Sequence, residues 1–293
     1  MRKLLISLIA ISFLCGCVKS KEDKTTIKIM SFNIRYDEPK DGENNWKFRR
    51  LACVNMINDQ QPDVFGIQEG LVHQVSFLDS ALVDFAYVGE GRDSLIKNNE
   101  YTAIFYHTGK FDLIRSGTNW LSETPEVSSK GWDAKYNRIM TWVHLKNKSD
   151  NKEFIVLNTH FDHRGAQARI ESAKMIVQQK IWLTRHESAK LIVQKAAELS
   201  GDTLMTFVVG DFNTLPNDSL LIPIYQHFKS AQSTATQTDS LGTTNEFKVT
   251  QEGRIIDYIF YRFATPTHYQ TIIKDYGVPY ISDHYPIMTV FEY

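Results

Sequence analysis

Short apolar runs, each closing on a polar side chain, recur along the chain. Ile27 to Ile34 reads as a strand. A polar loop (Asp37 to Asn45) leads into a helix predicted over Trp46 to Asp59, with Leu51, Val54 and Ile57 on one side. Gln61-Pro62-Asp63 stops it, because proline disfavours helical backbone in the residue before it. Val64 to Gln68 reads as a short buried strand and Val72 to Leu82 as a helix. Strands are expected at Tyr87-Val88, Tyr101 to His107 and Phe111 to Ser116. A long loop from Asn119 to Arg138 follows, placed to line a cleft. Strands at Met140 to Leu145 and Phe154 to Asn158 flank a polar turn. A helical region spans Ala166 to Leu199, and strands at Leu204 to Val209, Arg254 to Tyr261 and Pro286 to Phe291 complete the set. Strands in runs with occasional helices indicate mixed α/β layering. No Pro/Ser-rich linker divides the chain after Thr26, so 26–293 is expected to be one domain.

The helical region carries a near-repeat. Glu171 to Gln178 returns as Glu187 to Gln194 with one conservative change. At about 100° per residue the 16-residue offset turns the second copy by roughly 160°. Two apolar faces would then point opposite ways on one straight helix, so a local duplication with one copy bent away is expected.

Composition changes this picture little in the middle and much at the start. Of 293 residues, 42% are hydrophobic and 23% charged, enough to bury a full core. Arg2 and Lys3 precede an apolar run from Leu4 to Leu14, too short to span a bilayer but suited to a signal peptide. Leu14-Cys15-Gly16-Cys17 resembles the bacterial lipobox. The resemblance implies a signal peptide over 1–16, acylation of Cys17, a solvated tether over 17–25 and an exported, membrane-anchored lipoprotein of the cell envelope. Cleavage there removes Arg2 and Lys3, leaving 31 basic against 34 acidic side chains and a net charge of −3. Cys53 is then alone and no disulfide framework is possible. A net negative chain without a basic run does not favour nucleic acid as partner, although it leaves it open as a substrate.

Six of the apolar runs meet candidate chemistry. They lead to Asn33, to Gln68-Glu69, to Asn158 and His160, to Asp211 and Asn213, to Asp257, and to Asp283-His284. Each has an ordinary reading as a turn, cap or loop contact; together they make a set. Oxygen donors dominate and no Cys/His spacing suits structural zinc, which points to a hard ion, Mg2+ or Mn2+. Glu69 and Asp283 suit its carboxylate ligands, with Asn33 beside them. Asp211 can take a proton from an attacking water, and Asn213 can orient that water or bind a phosphoryl oxygen. His284 can neutralise a nonbridging oxygen if a carboxylate keeps it imidazolium, and Asp257 is the candidate partner. Trp46, Trp120 and Trp132 are either stacking surfaces for a base or sugar, or core or loop anchors.

Ser31-Phe32-Asn33, Gln68-Glu69, Asn158-Thr159-His160, Gly210-Asp211-Phe212-Asn213, Ile256-Asp257-Tyr258 and Ser282-Asp283-His284 occur in an order that resembles the endonuclease/exonuclease/phosphatase superfamily. The resemblance covers Thr26 to Tyr293. It implies a four-layer α/β/β/α sandwich of two packed sheets with one site at their rim, and a divalent-metal phosphohydrolase acting on a phosphomonoester or diester. Carried over residue by residue, it implies Asn33, Glu69 and Asp283 at the metal, and Asp211 and Asn213 at the water. His160 is then at the scissile phosphate, and Asp257 with His284 is the carboxylate–imidazole pair. Arg35 stands where some members carry an acid and is a candidate phosphate contact; Arg138, by its place before a strand, is either a contact to a second substrate phosphate or a surface arginine. Nucleic acid, phospholipid headgroups and sugar phosphates all stay open as substrates, and a monomer is expected. The alternative is a non-catalytic, lipid-anchored binding protein on the same scaffold. Site completeness separates the two, and no core position is missing.

Overall fold

A computed structural model describes residues 24–93, 95–96, 99–178, 204–249 and 253–293. The signal segment, Cys17 and the second copy of the repeat lie outside the described residues. In chain order the strands are β1 (Thr26–Asn33), β2 (Val64–Gln68), β3 (Phe85–Val88), β4 (Ile104–His107), β5 (Phe111–Trp120) and β6 (Ile139–Asn147). They continue as β7 (Glu153–His160), β8 (Met205–Asp211), β9 (Lys229–Ser230), β10 (Asp257–Arg262), β11 (Thr265–Thr271) and β12 (Ile287–Glu292). Two six-stranded mixed sheets result, ordered β11-β12-β1-β2-β4-β3 and β5-β6-β7-β8-β10-β9. Helices α1 (Trp46–Gln60) and α2 (Val72–Ala81) cover the first sheet, and α3 (166–178) covers the second. This is the expected α/β/β/α sandwich.

Side-chain parity explains the layers. Along β1, Met30 and Phe32 pack under α1 and α2, whereas Ile27 and Ile29 face the second sheet. Along β7, Phe154 and Val156 face the first sheet, and Ile155 and Leu157 pack on the outer side with α3. The same period of two holds in β8 and β10, where Phe207, Val209, Ile259 and Tyr261 lie between the sheets. Continuing each inner face to the rim reaches Asn33, Gln68, His160, Asp211 and Asp257. The site is thus the polar end of the inter-sheet core.

Several expectations need correction. Leu51 is exposed; α1 buries Trp46, Arg49, Ala52, Cys53, Val54, Met56 and Ile57 instead. A charged residue inside the buried face rotates that face away from the one hydropathy alone selects. Trp46 and Trp120 are core anchors, at 3% and 7% exposure, which removes them as stacking surfaces. The loop expected from Asn119 starts after Trp120, because β5 pairs with β6 through Trp120–Ile139. The apolar run that leads to Asp283-His284 is not a strand: both residues sit in irregular chain before β12. Asp257 opens β10 rather than ending a strand.

Gly210 is a position that admits no side chain. Its φ is +151°, and a Cβ there would stand 2.1 Å from the Thr159 carbonyl oxygen of the paired strand. Gly210→Ala is expected to cost about 3 kcal/mol, combining overpacking with backbone strain. Urea unfolding measures it; a loss below about 1 kcal/mol would contradict the packing described.

Candidate active site

Register brings the acids together. In the second sheet His160 pairs with Asp211 across β7 and β8, and Asp211 with Asp257 across β8 and β10. Three ionisable side chains therefore stand in one row, about 4.8 Å apart from strand to strand. In the first sheet Asn33 pairs with Gln68, and Glu69 follows directly. The sheets are joined behind this row by Gln68 Nε2, which donates to Asn158 Oδ1 at 2.7 Å. Asn158 Nδ2 donates to the carbonyls of Ile67 and Ala103, both at 2.8 Å. Asn158 is therefore a strut rather than a reacting group.

Asn33 Nδ2 links the halves, donating to Glu69 Oε1 and Asp211 Oδ2 at 3.1 Å each. Its Oδ1 accepts from the Arg35 amide at 3.0 Å, and Glu69 Oε2 accepts from the Tyr36 amide at 3.2 Å. Asn213 N–H donates to Asp211 Oδ1 at 2.9 Å, and Asn213 Nδ2 donates to the Phe161 carbonyl at 3.0 Å. That second bond orients the amide and leaves Asn213 Oδ1 as an acceptor. Arg35, Glu69 and Asn213 all adopt positive φ, at 55°, 63° and 49°. Such backbone is costly in residues with a Cβ and persists where surrounding bonds hold it.

His284 Nδ1 lies 2.8 Å from Asp257 Oδ2, which also accepts from Thr243 Oγ1 at 2.6 Å. His284 Nε2 and His160 Nε2 point at Asp211 Oδ2 from 3.9 and 3.6 Å. Burial opposes charging His284, but Asp257, Asp211 and Asp283 hold its pKa well above the usual range. His160 is held well below it, by burial and by Arg138 and Arg92. One imidazolium and one neutral imidazole thus flank Asp211. Burial and the nearby Asp257 push the Asp211 carboxyl up to about 7. Glu69 resists burial: His284, Asn33 and Arg35 keep its carboxyl below the ordinary range.

Ligand atoms of Glu69, His160 and Asp211 lie within 4.8 Å of one another, as do those of Asp211, Asp257 and His284. In the second group Asp257 and His284 are already paired. The first group, with Asn33 beside it, offers oxygen donors of the kind a hard divalent ion takes, and Glu69 has no ion pair of its own among the described residues. Asp283 stands at the edge, 3.7 Å from Arg35 Nε, in neither group. Ser282 Oγ ties it to the metal side by donating to the Asn33 carbonyl at 2.7 Å. Arg35 does not reach freely into the cleft: its Nε and Nη2 donate to the two oxygens of Asp41 at 3.0 and 3.1 Å.

The cleft over the row has a volume of about 390 Å³, and Arg35, Glu69, His160, Asp211, Asn213 and His284 contribute to its lining. Arg92, Glu100, Tyr136, Arg138 and His163 line it too. Of these, only Arg138 was expected. Glu100 accepts both Nη groups of Arg92 at 2.7 Å and lies 3.9 Å from His160 Nδ1. The signal for Glu100 was its place just before an apolar strand, the mirror image of the strand-end pattern.

The model of the Endonuclease/Exonuclease/phosphatase family matches residues 30–284. Among solved structures, an endonuclease/exonuclease/phosphatase from Bacteroides vulgatus is 32% identical, with a TM-score of 0.80, over 92% of this chain and 99% of that one. A mannosyl-6-phosphatase from Bacteroides thetaiotaomicron is 30% identical, with a TM-score of 0.76, over 90% and 98%. An uncharacterized protein of Acanthamoeba polyphaga mimivirus is 25% identical over 84% of this chain and 92% of its own length.

Proposed function

The chain belongs to the endonuclease/exonuclease/phosphatase family, and from that premise we propose that it is a divalent-metal-dependent phosphohydrolase working by attack of an activated water. The observation that carries this reading is Asp211: one carboxylate meets Asn33 and Asn213 directly and both imidazoles within 4 Å. Glu69, with Asn33 beside it and Asp283 at the edge of the site, would hold Mg2+ or Mn2+, which when bound supplies positive charge to a phosphoryl oxygen. Asp211 accepts the proton of a water that Asn213 Oδ1 orients. The Nε2–H of His284, kept charged by Asp257, donates to a nonbridging oxygen as negative charge builds there. His160, neutral, donates to the phosphoryl group from the other side. The water oxygen bonds phosphorus, the bond to the alcohol oxygen breaks in line, and the alkoxide takes a proton from solvent.

The likeness to a mannosyl-6-phosphatase puts sugar phosphates first among substrates to try, ahead of nucleic acid and phospholipid headgroups. The test is release of p-nitrophenol from mono- and bis-p-nitrophenyl phosphate by the purified full-length protein. Turnover with Mg2+ or Mn2+, lost in EDTA and restored by added metal, is expected. Absence of turnover on both esters with both metals would leave the binding-protein reading in its place.

We also propose export as a monomeric lipoprotein anchored through Cys17. In cell fractionation, the wild-type chain should follow the membranes and Cys17→Ala should not; an unchanged distribution would reject the anchor.

A further inference from the structure

Arg138 is 4% exposed, and its Nη1 has no hydrogen-bond partner. Burying a guanidinium N–H without an acceptor costs free energy that a folded protein ordinarily avoids. The group is nevertheless held in place from behind. Asp162 lies 3.5 Å from Arg138 Nε and is itself anchored by the amides of Lys135, Tyr136, Arg164 and Gly165. His163 Nδ1 lies 3.2 Å from Arg138 Nη2. The Phe161-Asp162-His163 segment, which the hydrolytic mechanism does not use, is therefore a mount for Arg138.

The other cations around the cleft are committed. Arg35 is clamped on Asp41, Arg92 is bidentate on Glu100 with its guanidinium 5.0 Å from the Tyr136 ring, and the exposed Arg254 reaches Glu246 at 3.4 Å. Of these four, Arg138 alone has a buried donor without a hydrogen-bond partner, in the cleft that holds His160, Asp211, Asn213 and His284. A phosphodiester presents two nonbridging oxygens and one negative charge. A phosphomonoester presents a third terminal oxygen and a second charge, and a fixed guanidinium is well suited to take it.

We propose that Arg138, mounted by Asp162 and His163, receives a terminal phosphoryl oxygen and makes the site selective for phosphomonoesters over diesters. This rests on the hydrolase reading above and narrows its substrate class. The remaining alcohol has a path: Tyr36, Arg92, Glu100 and Tyr136 line both this cleft and a second one of about 390 Å³ beside it.

The test compares kcat/KM on p-nitrophenyl phosphate and bis-p-nitrophenyl phosphate, with Mg2+, in the full-length protein. Wild type is expected to favour the monoester at least about tenfold. Arg138→Gln should lose about 100-fold on the monoester and only a few-fold on the diester, with Arg138→Lys between them. Equal proportional losses on both esters, or a wild type without monoester preference, would overturn the proposal. Hydrolysis of neither ester by wild type would instead sink the hydrolase reading. Should Arg138→Gln fail to fold, competitive inhibition of wild type decides. Inorganic phosphate should bind at least about tenfold more tightly than dimethyl phosphate, and equal inhibition would reject the receptor.

Discussion

Asp211→Asn is expected to lower kcat on p-nitrophenyl phosphate by about 10³-fold, within the range a general base contributes, while the melting temperature stays near that of wild type. Asparagine matches the volume of the buried carboxylate, and its amide oxygen can still accept from the Asn213 amide as Asp211 Oδ1 does at 2.9 Å; its NH2 replaces the oxygen that accepts from Asn33 Nδ2 at 3.1 Å, a lost bond offset by removing a carboxylate that burial disfavours. What it cannot do is take a proton. The neighbours cannot substitute: His284 is committed as an imidazolium on Asp257, and Glu69 is held ionised well below the pH of the assay. Asp257→Asn should act more mildly, by about 10²-fold, because it weakens the charge on His284 without removing the base. A variant at Asp211 retaining more than about a tenth of wild-type kcat would mean that another group deprotonates the water.

The acids were legible because strands ending at one rim announce themselves by an apolar run followed by a polar residue. That pattern found Asn33, Glu69, His160 and Asp211, which follow or end β1, β2, β7 and β8. It does not encode strand direction. β4, β6, β10 and β12 begin at the same rim, so Glu100, Arg138 and Asp283 precede their strands and Asp257 opens its own. Asp257 and Asp283 were reached because each also follows a short apolar stretch, Ile255-Ile256 and Tyr280-Ile281. Glu100 was missed because its apolar strand comes after it, across the residue pair Gly70 and Tyr101 that bridges the first sheet. Side-chain commitments were equally hidden. Nothing in the order of residues says that Asp41 occupies Arg35, or that Asp162 mounts Arg138, since both depend on loop paths.

Arg49→Met is expected to cost about 3–5 kcal/mol of folding stability, through the most hidden residue of all. Arg49 is 1% exposed on the inner face of α1 and has no carboxylate partner among the described residues, where its hydrogen bonds go to backbone carbonyls. Nε donates to Asn44 at 2.7 Å, Nη2 to Arg35 at 2.9 Å, and Nη1 to Ile34 and, at 3.1 Å, to Ile281. Its guanidinium also lies 5.3 Å from the Trp46 ring. The side chain thus ties the end of β1 to the irregular segment before Ser282 and Asp283, which β-sheet pairing does not reach. Methionine fills a similar volume but leaves four carbonyls short of a donor, and two of them, Ile34 and Ile281, are buried. Some of the loss is offset because a desolvated cation is removed with them. Arg49→Lys restores a charge without the planar fork and should recover only part of the stability. Urea unfolding gives the size, and a loss under about 1 kcal/mol would contradict the role. The positional consequence is separable. If Arg49 holds Arg35 and Asp283 in register, kcat of the still-folded variant should fall and the Mg2+ concentration for half-activity should rise. A variant that is merely less stable would leave both unchanged at temperatures well below its melting point.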